Sequence, residues 1–358
     1  MKKLVLAYSG GLDTSYCLKT LSQEGYEVHA VSVNTGGFSD QEIEEQEQKA
    51  YAMGATTYRS INALQTFYDK IVQYLIYGNV LKNNTYPLSV SAERIVQAIE
   101  IVEYAKSIDA AYIAHGSTGA GNDQVRFDLI FQVLAPAIEI ITPIRDQQLS
   151  REAEIEYLKS EGIEMSWEKA QYSINQGLWG TSVGGSETLT SDKALPSEAY
   201  PSQLSATEPI KITLEFEQGE LAGINGKAGK PVALIQQLQE IAKAYAIGRD
   251  IHVGDTIIGI KGRVGFEAAA PLIIIKAHHL LEKHTLSKWQ QFQKEQLGSF
   301  YGMLLHEGNY LDAVMRDIEA FLKSSQKTVN GSVIISLHPY RFDLEGVQSS
   351  NDLMNASC

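Results

Sequence analysis

The chain has 358 residues, 44% apolar and 20% charged, an ordinary globular balance with enough apolar side chains for a sizeable core. Thirty basic residues face 43 acidic ones, giving a formal net charge of −13. This argues against non-specific binding to nucleic acid or to an anionic membrane, since both need a positive footprint.

At roughly 150 residues per domain the length suggests two domains. The first 165 residues alternate strand-like and helix-like patterns. The short apolar run Leu4 to Tyr8 reads as a buried strand, and it is too short for the apolar core of a signal peptide. No run of about 20 apolar residues follows anywhere, so no membrane span is expected. Cys17, Leu18 and Leu21 mark a first helix, Val28 to Val33 a second strand, and Asp40 to Met53 an acidic helix closed by Gly54. Thr57 to Ile61 reads as a strand, 64–77 and 91–106 as helices, and Ala111 to Ala114 and Ile138 to Ile141 as strands. Ser150 opens a further helix. Such alternation predicts an α/β fold, a parallel sheet with helices on both faces. Residues 166–208 read as irregular. Beyond them the pattern becomes α+β, with strands at Lys211 to Phe216, toward Ile224, at Thr256 to Val264 and at Val333 to Leu337. Helices are expected at Val232 to Tyr245, Leu272 to Leu305 and Leu311 to Leu322. The expected division is 1–165, 166–340 and a short tail, 341–358.

Two loops carry chemistry. In Ala7-Tyr8-Ser9-Gly10-Gly11-Leu12-Asp13-Thr14-Ser15 a strand runs into two glycines, then hydroxyl residues, then a helix. Glycine lets backbone approach a ligand closely, and a helix start offers unpaired N–H groups to an anion. Ser9, Thr14 and Ser15 add hydroxyl donors. Neither Gly-x-x-x-x-Gly-Lys-Ser/Thr nor a strand-borne Gly-x-Gly-x-x-Gly occurs, which excludes the two commonest nucleotide loops. The second loop, His115 to Phe127, also follows a strand and crowds Asn122, Asp123 and Arg126 among three glycines. Arg126 suits a carboxylate, through a two-pronged bond. In a parallel sheet both loops leave carboxyl ends of strands, where ligands bind.

The first string resembles the Ser-Gly-Gly-x-Asp-Ser/Thr pyrophosphate loop of ATP pyrophosphatases, and the two together resemble the argininosuccinate synthase family. The likeness continues through Tyr86-Pro87-Leu88-Ser89-Val90-Ser91, Thr142-Pro143-Ile144-Arg145-Asp146, Tyr172-Ser173-Ile174-Asn175, Trp179-Gly180-Thr181-Ser182 and Gly259-Ile260-Lys261-Gly262-Arg263. The resemblance implies an adenine nucleotide alpha hydrolase-like domain followed by a synthetase domain. It implies an AMP-forming ligase of arginine biosynthesis that joins citrulline to L-aspartate through a citrullyl-adenylate, using ATP and Mg²⁺. Ala7, Tyr8, Ser9, Gly10, Gly11, Asp13, Thr14, Ser15, Val33 and Gly116 would then hold ATP, with Asp13 near the metal–pyrophosphate. Thr118, Asn122 and Asp123 match aspartate contacts, and Tyr86, Ser91, Arg126, Ser173 and Ser182 match citrulline contacts. Asp13 and Arg126 would carry the catalytic roles. A homo-oligomer in the cytoplasm is implied, with no nucleic-acid or membrane partner.

The sequence departs from the family in three places. Members commonly carry a Glu and, twelve residues later, a Tyr that hold the amino-acid head of citrulline; Gly254 and Phe266 stand there. Either a carboxylate replaces the Glu, Asp255 after a one-residue slip or another one, or the substrate lacks the α-ammonium charge, as an acetyl- or succinyl-citrulline would. Ala120 stands where a Lys is common. The family usually continues beyond the position of Cys358 into a C-terminal helix, so the expectation is either a truncated chain or one for which the usual tetramer is in doubt. His278, His279 and His284 match no metal-ligand spacing. Trp167, Trp179 and Trp289 fit either a core or an interface. Two other readings stay open: a tRNA-modifying or amidating enzyme with the same loop, and a nucleotide-binding regulatory paralogue.

Overall fold

The computed structural model describes residues 2–119, 121–163 and 172–355. Ala120, Trp167 and Cys358 therefore lie outside the described residues. The chain divides into two compact units.

The first comprises Met1–Leu64, Glu93–Gln171 and Thr256–Ile260. Its sheet contains β1 (Lys3–Ala7), β2 (Glu27–Asn34), β3 (Thr57–Asn62), β4 (Tyr112–Ala114) and β5 (Glu139–Ile141), in the order β3-β2-β1-β4-β5. Every pairing is parallel, as the alternation predicts. Leu4, Val5 and Leu6 are all fully buried, because both faces of a parallel sheet are covered; this is why β1 reads as a continuous apolar run. The helix Leu12–Gln23 presents Cys17, Leu18 and Leu21 to the core. Burial pushes the Cys17 thiol well up, so it packs as an inert apolar group. The helix Asp40–Ala52 starts at a capping box in which Ser39 and Glu42 satisfy each other's backbone N–H.

The strand order matters for function. From β1 the chain winds outward through β2 and β3, then returns to the other side of β1 with β4. The gap between the carboxyl ends of β1 and β4 is a topological switch point, where open α/β sheets bind ligands. Both chemistry-bearing loops emerge there.

The second unit comprises Gln65–Ala92, Tyr172–Asp255 and Lys261–Cys358. Thus residues 65–92, read as part of 1–165, cluster with this unit. It holds two antiparallel sheets. One is built from β6 (Ser173–Gly177), β7 (Gly180–Gly184), β11 (Arg249–Asp255) and β12 (Lys261–Glu267), in the order β11-β12-β7-β6. The other is built from β8 (Ile210–Glu217), β9 (Glu220–Ile224), β10 (Lys227–Ala228), β13 (Gly331–His338) and β14 (Arg341–Gln348), in the order β10-β9-β8-β13-β14. Helices Pro231–Lys243, Ala269–Thr285, Lys288–His306 and Ala313–Ser325 complete it.

Three expectations change here. Residues 173–184, read as irregular, form the hairpin β6–β7; their Gly, Ser, Thr and Asn content hides the strand pattern. Thr256 to Val264, read as one strand, contains the turn 256–260, with Gly259 at φ +87°, and only the start of β12. Residues 341–348, read as tail, are the strand β14 paired with β13.

A fully buried polar network ties the helices of this unit together. Lys294 Nζ pairs with Glu282 Oε2 at 2.9 Å and donates to the Tyr77 carbonyl at 2.6 Å. Gln326 Nε2 donates to Glu282 Oε1, and His278 lies 2.8 Å from Gln326 Oε1. Among the described residues, no helix is long and apolar enough to cross a membrane.

Candidate active site

The first loop is shaped by its glycines. Gly10 sits at φ +74°, a left-handed conformation that favours glycine. A Cβ there would also press to 3.0 Å from the Gln46 side chain. Gly11 caps the helix in extended conformation, and the first intrahelical bond runs from Ser15 N–H to the Gly11 carbonyl. The N–H groups of Leu12, Asp13 and Thr14 therefore precede the helix ladder, at the positive end of its dipole. Ser9 N–H donates to Thr14 Oγ1, Thr14 Oγ1–H to the Gly11 carbonyl, and Gly11 N–H to Ser9 Oγ, at 3.3–3.4 Å. These long bonds hold the loop open as a cradle. Ser15 Oγ and the Tyr8 hydroxyl are buried without hydrogen-bond partners among the described residues. Val33 is buried near the end of β2, and Ala7 ends β1.

Asp13 stands in the first turn of the helix. Beside it lies Glu154, from the helix Arg151–Ser160. Burial first, and the Asp13 carboxyl second, push Glu154 up to about 8. Its Oε2 is buried without a partner among the described residues. Two carboxyls so close, with one oxygen unsatisfied, form an incomplete polar site.

The second loop meets the first. Gly116 packs so tightly on Asp13 that a Cβ would lie 3.2 Å from both the carbonyl carbon and Cβ of Asp13, and 3.3 Å from its carbonyl oxygen. The loop is braced from behind. His115 Nε2 donates to Asp128 Oδ1 at 2.9 Å, while its Nδ1 accepts the Ser117 N–H at 3.2 Å. Asp128 Oδ2 pairs with Arg145 at 2.6 Å, and Arg145 reaches Gln124 Oε1, whose amide nitrogen donates to the Gly119 carbonyl. Burial pushes the Asp128 carboxyl up, but His115 and Arg145 outweigh it and the net shift is downward.

Asp123, Asn122 and Arg126 are already engaged. Asp123 accepts from Arg94 at 3.0 Å and from Arg126 at 2.7 Å. Burial raises its carboxyl, and the two guanidinium groups overcome that and lower it. Asn122 Oδ1 accepts the Ile257 N–H at 2.8 Å. Thr118 is exposed on the loop.

The remaining expected contacts belong to the second unit. In the β11-β12-β7-β6 sheet, side chains alternate between faces. Phe266 lies opposite Ser182, Ser182 opposite Asn175, and Gly254 opposite Gly262, so Ser173, Ser182, Phe266, His252 and Gly254 share one face. Tyr86 packs on that group, its ring 5.2 Å from His252 and 5.3 Å from Phe266. Tyr86 oxygen accepts from Ser89 Oγ and from Val90 N–H at 3.3 Å, and Ser91 Oγ donates to the Leu88 carbonyl. Leu88 sits at φ +64°, a conformation rare for leucine that costs about 1–3 kcal/mol and clusters at functional sites.

Asp255 does not stand in for the missing Glu. It pairs with Lys261 at 2.6 Å, both side chains are exposed, and it lies on the opposite face from Gly254.

The family profile described as "Arginosuccinate synthase N-terminal HUP domain" matches residues 3–164, and the one described as "Arginosuccinate synthase C-terminal domain" matches residues 172–358. The chain belongs to the argininosuccinate synthase family. It is 39% identical to the argininosuccinate synthase of Methanocaldococcus jannaschii over 93% of this chain and 85% of that protein. It is 38% identical to that of Pyrococcus furiosus, covering 98% and 86%, and 35% identical to that of Xanthomonas campestris, covering 99% and 90%. Gln46, Asp128 and Glu154, which adjoin or brace these loops, were not read from the sequence; Asp128 stands four residues from Gln124 on one helix, and Arg145 was quoted only within the string Thr142 to Asp146.

Proposed function

We propose that this chain is an AMP-forming carbon–nitrogen ligase that joins a citrulline-type ureido amino acid to L-aspartate, with ATP as the activating substrate. The observation that carries the reading is the packing of Gly116 against Asp13 at the switch point, which puts a phosphate cradle and a polar amino-acid loop side by side. Ala7 to Ser15, Val33 and Gly116 are the assigned nucleotide contacts.

The chemistry needs no side-chain nucleophile. The ureido oxygen attacks the α-phosphorus, an O–P bond forms, and the α–β bridge breaks to release pyrophosphate. The aspartate amine then attacks the activated carbon, loses a proton, and AMP departs. Charge develops on the leaving pyrophosphate, where the N–H groups of Leu12, Asp13 and Thr14 converge. Thr118, Asn122 and Asp123 are assigned to aspartate. Tyr86, Ser91, Arg126, Ser173 and Ser182 are assigned to the ureido substrate. Arg126 has five N–H donors, so it can take a substrate carboxylate while remaining paired with Asp123.

Among the described residues, no group of three or more His, Cys, Asp or Glu side chains forms a metal cage. Mg²⁺ suits the site nonetheless, because it is held by one or two carboxylates plus substrate phosphates. Asp13, with the unsatisfied Glu154 beside it, supplies that donor set. When bound, the ion would neutralise pyrophosphate charge.

We also assign a homo-oligomer in the cytoplasm. Trp289, Phe292, Phe300 and Met303 are exposed along the helix Lys288–His306 at spacings of three, eight and three, which sets a large apolar stripe in water.

Exchange of labelled pyrophosphate into ATP tests the function. Exchange that requires a ureido amino acid supports the ligase. Tight ATP binding with no exchange under any ureido substrate supports a regulatory paralogue instead.

A further inference from the structure

Glu93 is a buried acid that the proposed chemistry does not use. It lies near the start of the helix Ser89–Ser107, and Thr35, Glu93, Arg94, Gln97, Asp123 and Arg126 all belong to the first unit. Four of them close a ring of hydrogen bonds. Thr35 Oγ1 donates to Glu93 Oε2 at 2.8 Å and accepts from Gln97 Nε2 at 3.2 Å. Arg94 Nη1 donates to Glu93 Oε1 at 3.1 Å and to Gln97 Oε1 at 2.8 Å. Burial pushes the Glu93 carboxyl up, to about 7, against the pull of Arg94 and Thr35.

The ring is anchored at Thr35, a buried residue directly after β2. Its neighbour Asn34 ties the loop there, accepting the Gly36 N–H at 2.8 Å and donating to the Phe38 carbonyl at 2.9 Å. A guanidinium is a planar fork, so holding one edge aims the others. With Nη1 held between Glu93 and Gln97, Arg94 Nε faces Asp123 and donates to its Oδ2 at 3.0 Å. Arg126 donates to the other oxygen, Oδ1, at 2.7 Å. Two guanidiniums on separate oxygens fix the plane of the Asp123 carboxylate. Each oxygen keeps a second lone-pair site for a substrate donor. Asp123 is also the accessible member of this group: its side chain is 34% exposed, against 14% for Arg94, 4% for Arg126 and 3% for Glu93.

We propose that Glu93 is a positioning residue of the aspartate subsite, which aims Arg94 at Asp123 and so sets the carboxylate that receives the aspartate substrate. The proposal rests on the ligase reading above and deepens its assignment of Asp123. Glu93 itself touches neither substrate nor reacting atoms. Its removal also takes a negative charge away from an anionic substrate. That charge is buried and neutralised at contact by Arg94, so the loss of aim outweighs it.

The test separates the two half-reactions. Pyrophosphate exchange with ATP and citrulline needs no aspartate, whereas AMP formation with aspartate added does. E93A is expected to raise the KM for aspartate roughly tenfold or more, the scale of one charge-assisted hydrogen bond, while exchange stays within twofold of wild type. E93Q keeps the volume and a weaker, uncharged acceptor for Arg94, so its KM for aspartate is expected to lie between the two, about threefold above wild type. E103A, at an exposed position on the same helix, is the control and is expected to leave both readouts unchanged. A wild-type KM for aspartate in both Glu93 variants overturns the proposal while leaving the ligase intact. So does a loss of exchange equal to the rise in that KM, which marks a merely structural role. Should E93A fail to fold, E93Q decides by the same two readouts. No exchange and no AMP from the wild type, with ATP still bound, overturns the ligase reading and the proposal together.

Discussion

Gly116 is the tightest test of how the two loops cooperate. Its backbone needs no left-handed conformation, so Gly116→Ala adds only a methyl group. That carbon would lie 3.2–3.3 Å from three atoms of Asp13. Carbon contacts are optimal at roughly 3.5–4.0 Å, so the loops must part by a few tenths of an ångström or more. Asp13 is in the first turn of a buried helix, and His115–Asp128–Arg145 brace the other side, so neither yields freely. Overpacking of this kind costs about 1–3 kcal/mol, which corresponds to roughly 5- to 150-fold if it falls on the geometry of the reaction. G116A is therefore expected to lower the pyrophosphate-exchange rate at saturating ATP about tenfold, and G116V further, with circular dichroism unchanged. Gly121→Ala is the control, since a Cβ there meets nothing within 4 Å. Wild-type exchange in G116V, or an equal loss in G121A, would refute the reasoning.

Three further outcomes follow from other parts of the molecule. Lys294→Met leaves Glu282 buried without its ion-pair partner and should cost about 3–5 kcal/mol in urea unfolding, with part recovered by adding Glu282→Gln. His252 has a folded value near 4 against an ordinary 6.5, so the unfolded chain takes up a proton that the folded chain refuses. Stability from this residue is full above about pH 6.5 and is lost as pH falls toward 4; H252Q should flatten that slope in unfolding curves taken between pH 7.5 and 5, and an unchanged slope contradicts it. Charging the exposed stripe, with Trp289→Glu and Phe292→Glu, should reduce the mass seen by light scattering, whereas a monomeric wild type would remove the oligomer assignment.

Legibility in the sequence followed burial. β1, β2 and β8 read clearly because apolar runs or alternation dominate them. β6 and β7 did not, since Ser173-Ile174-Asn175-Gln176-Gly177 and Gly180-Thr181-Ser182-Val183-Gly184 gain their strand character from pairing with each other and with β12. The two loops could be placed at carboxyl ends of strands, but their meeting depends on β4 lying beside β1, which no local pattern specifies. Arg126 was read as a binder of a substrate carboxylate; the carboxylate it holds here is that of Asp123, three residues away. Gln46 behind Gly10 and Glu154 beside Asp13 are contacts made across the fold, and nothing near them in sequence announces a role. Asp255 looked like a substitute for a missing acid until strand alternation put it on the other face.

Attack by the ureido oxygen at the α-phosphorus is the step on which the proposed ligase activity depends. A substrate labelled with ¹⁸O in its ureido group, turned over with ATP and aspartate, reads that step directly in the mass of the released AMP. One ¹⁸O in the phosphate of AMP is the expected result; label retained in the amino-acid product, or found in pyrophosphate, would contradict it.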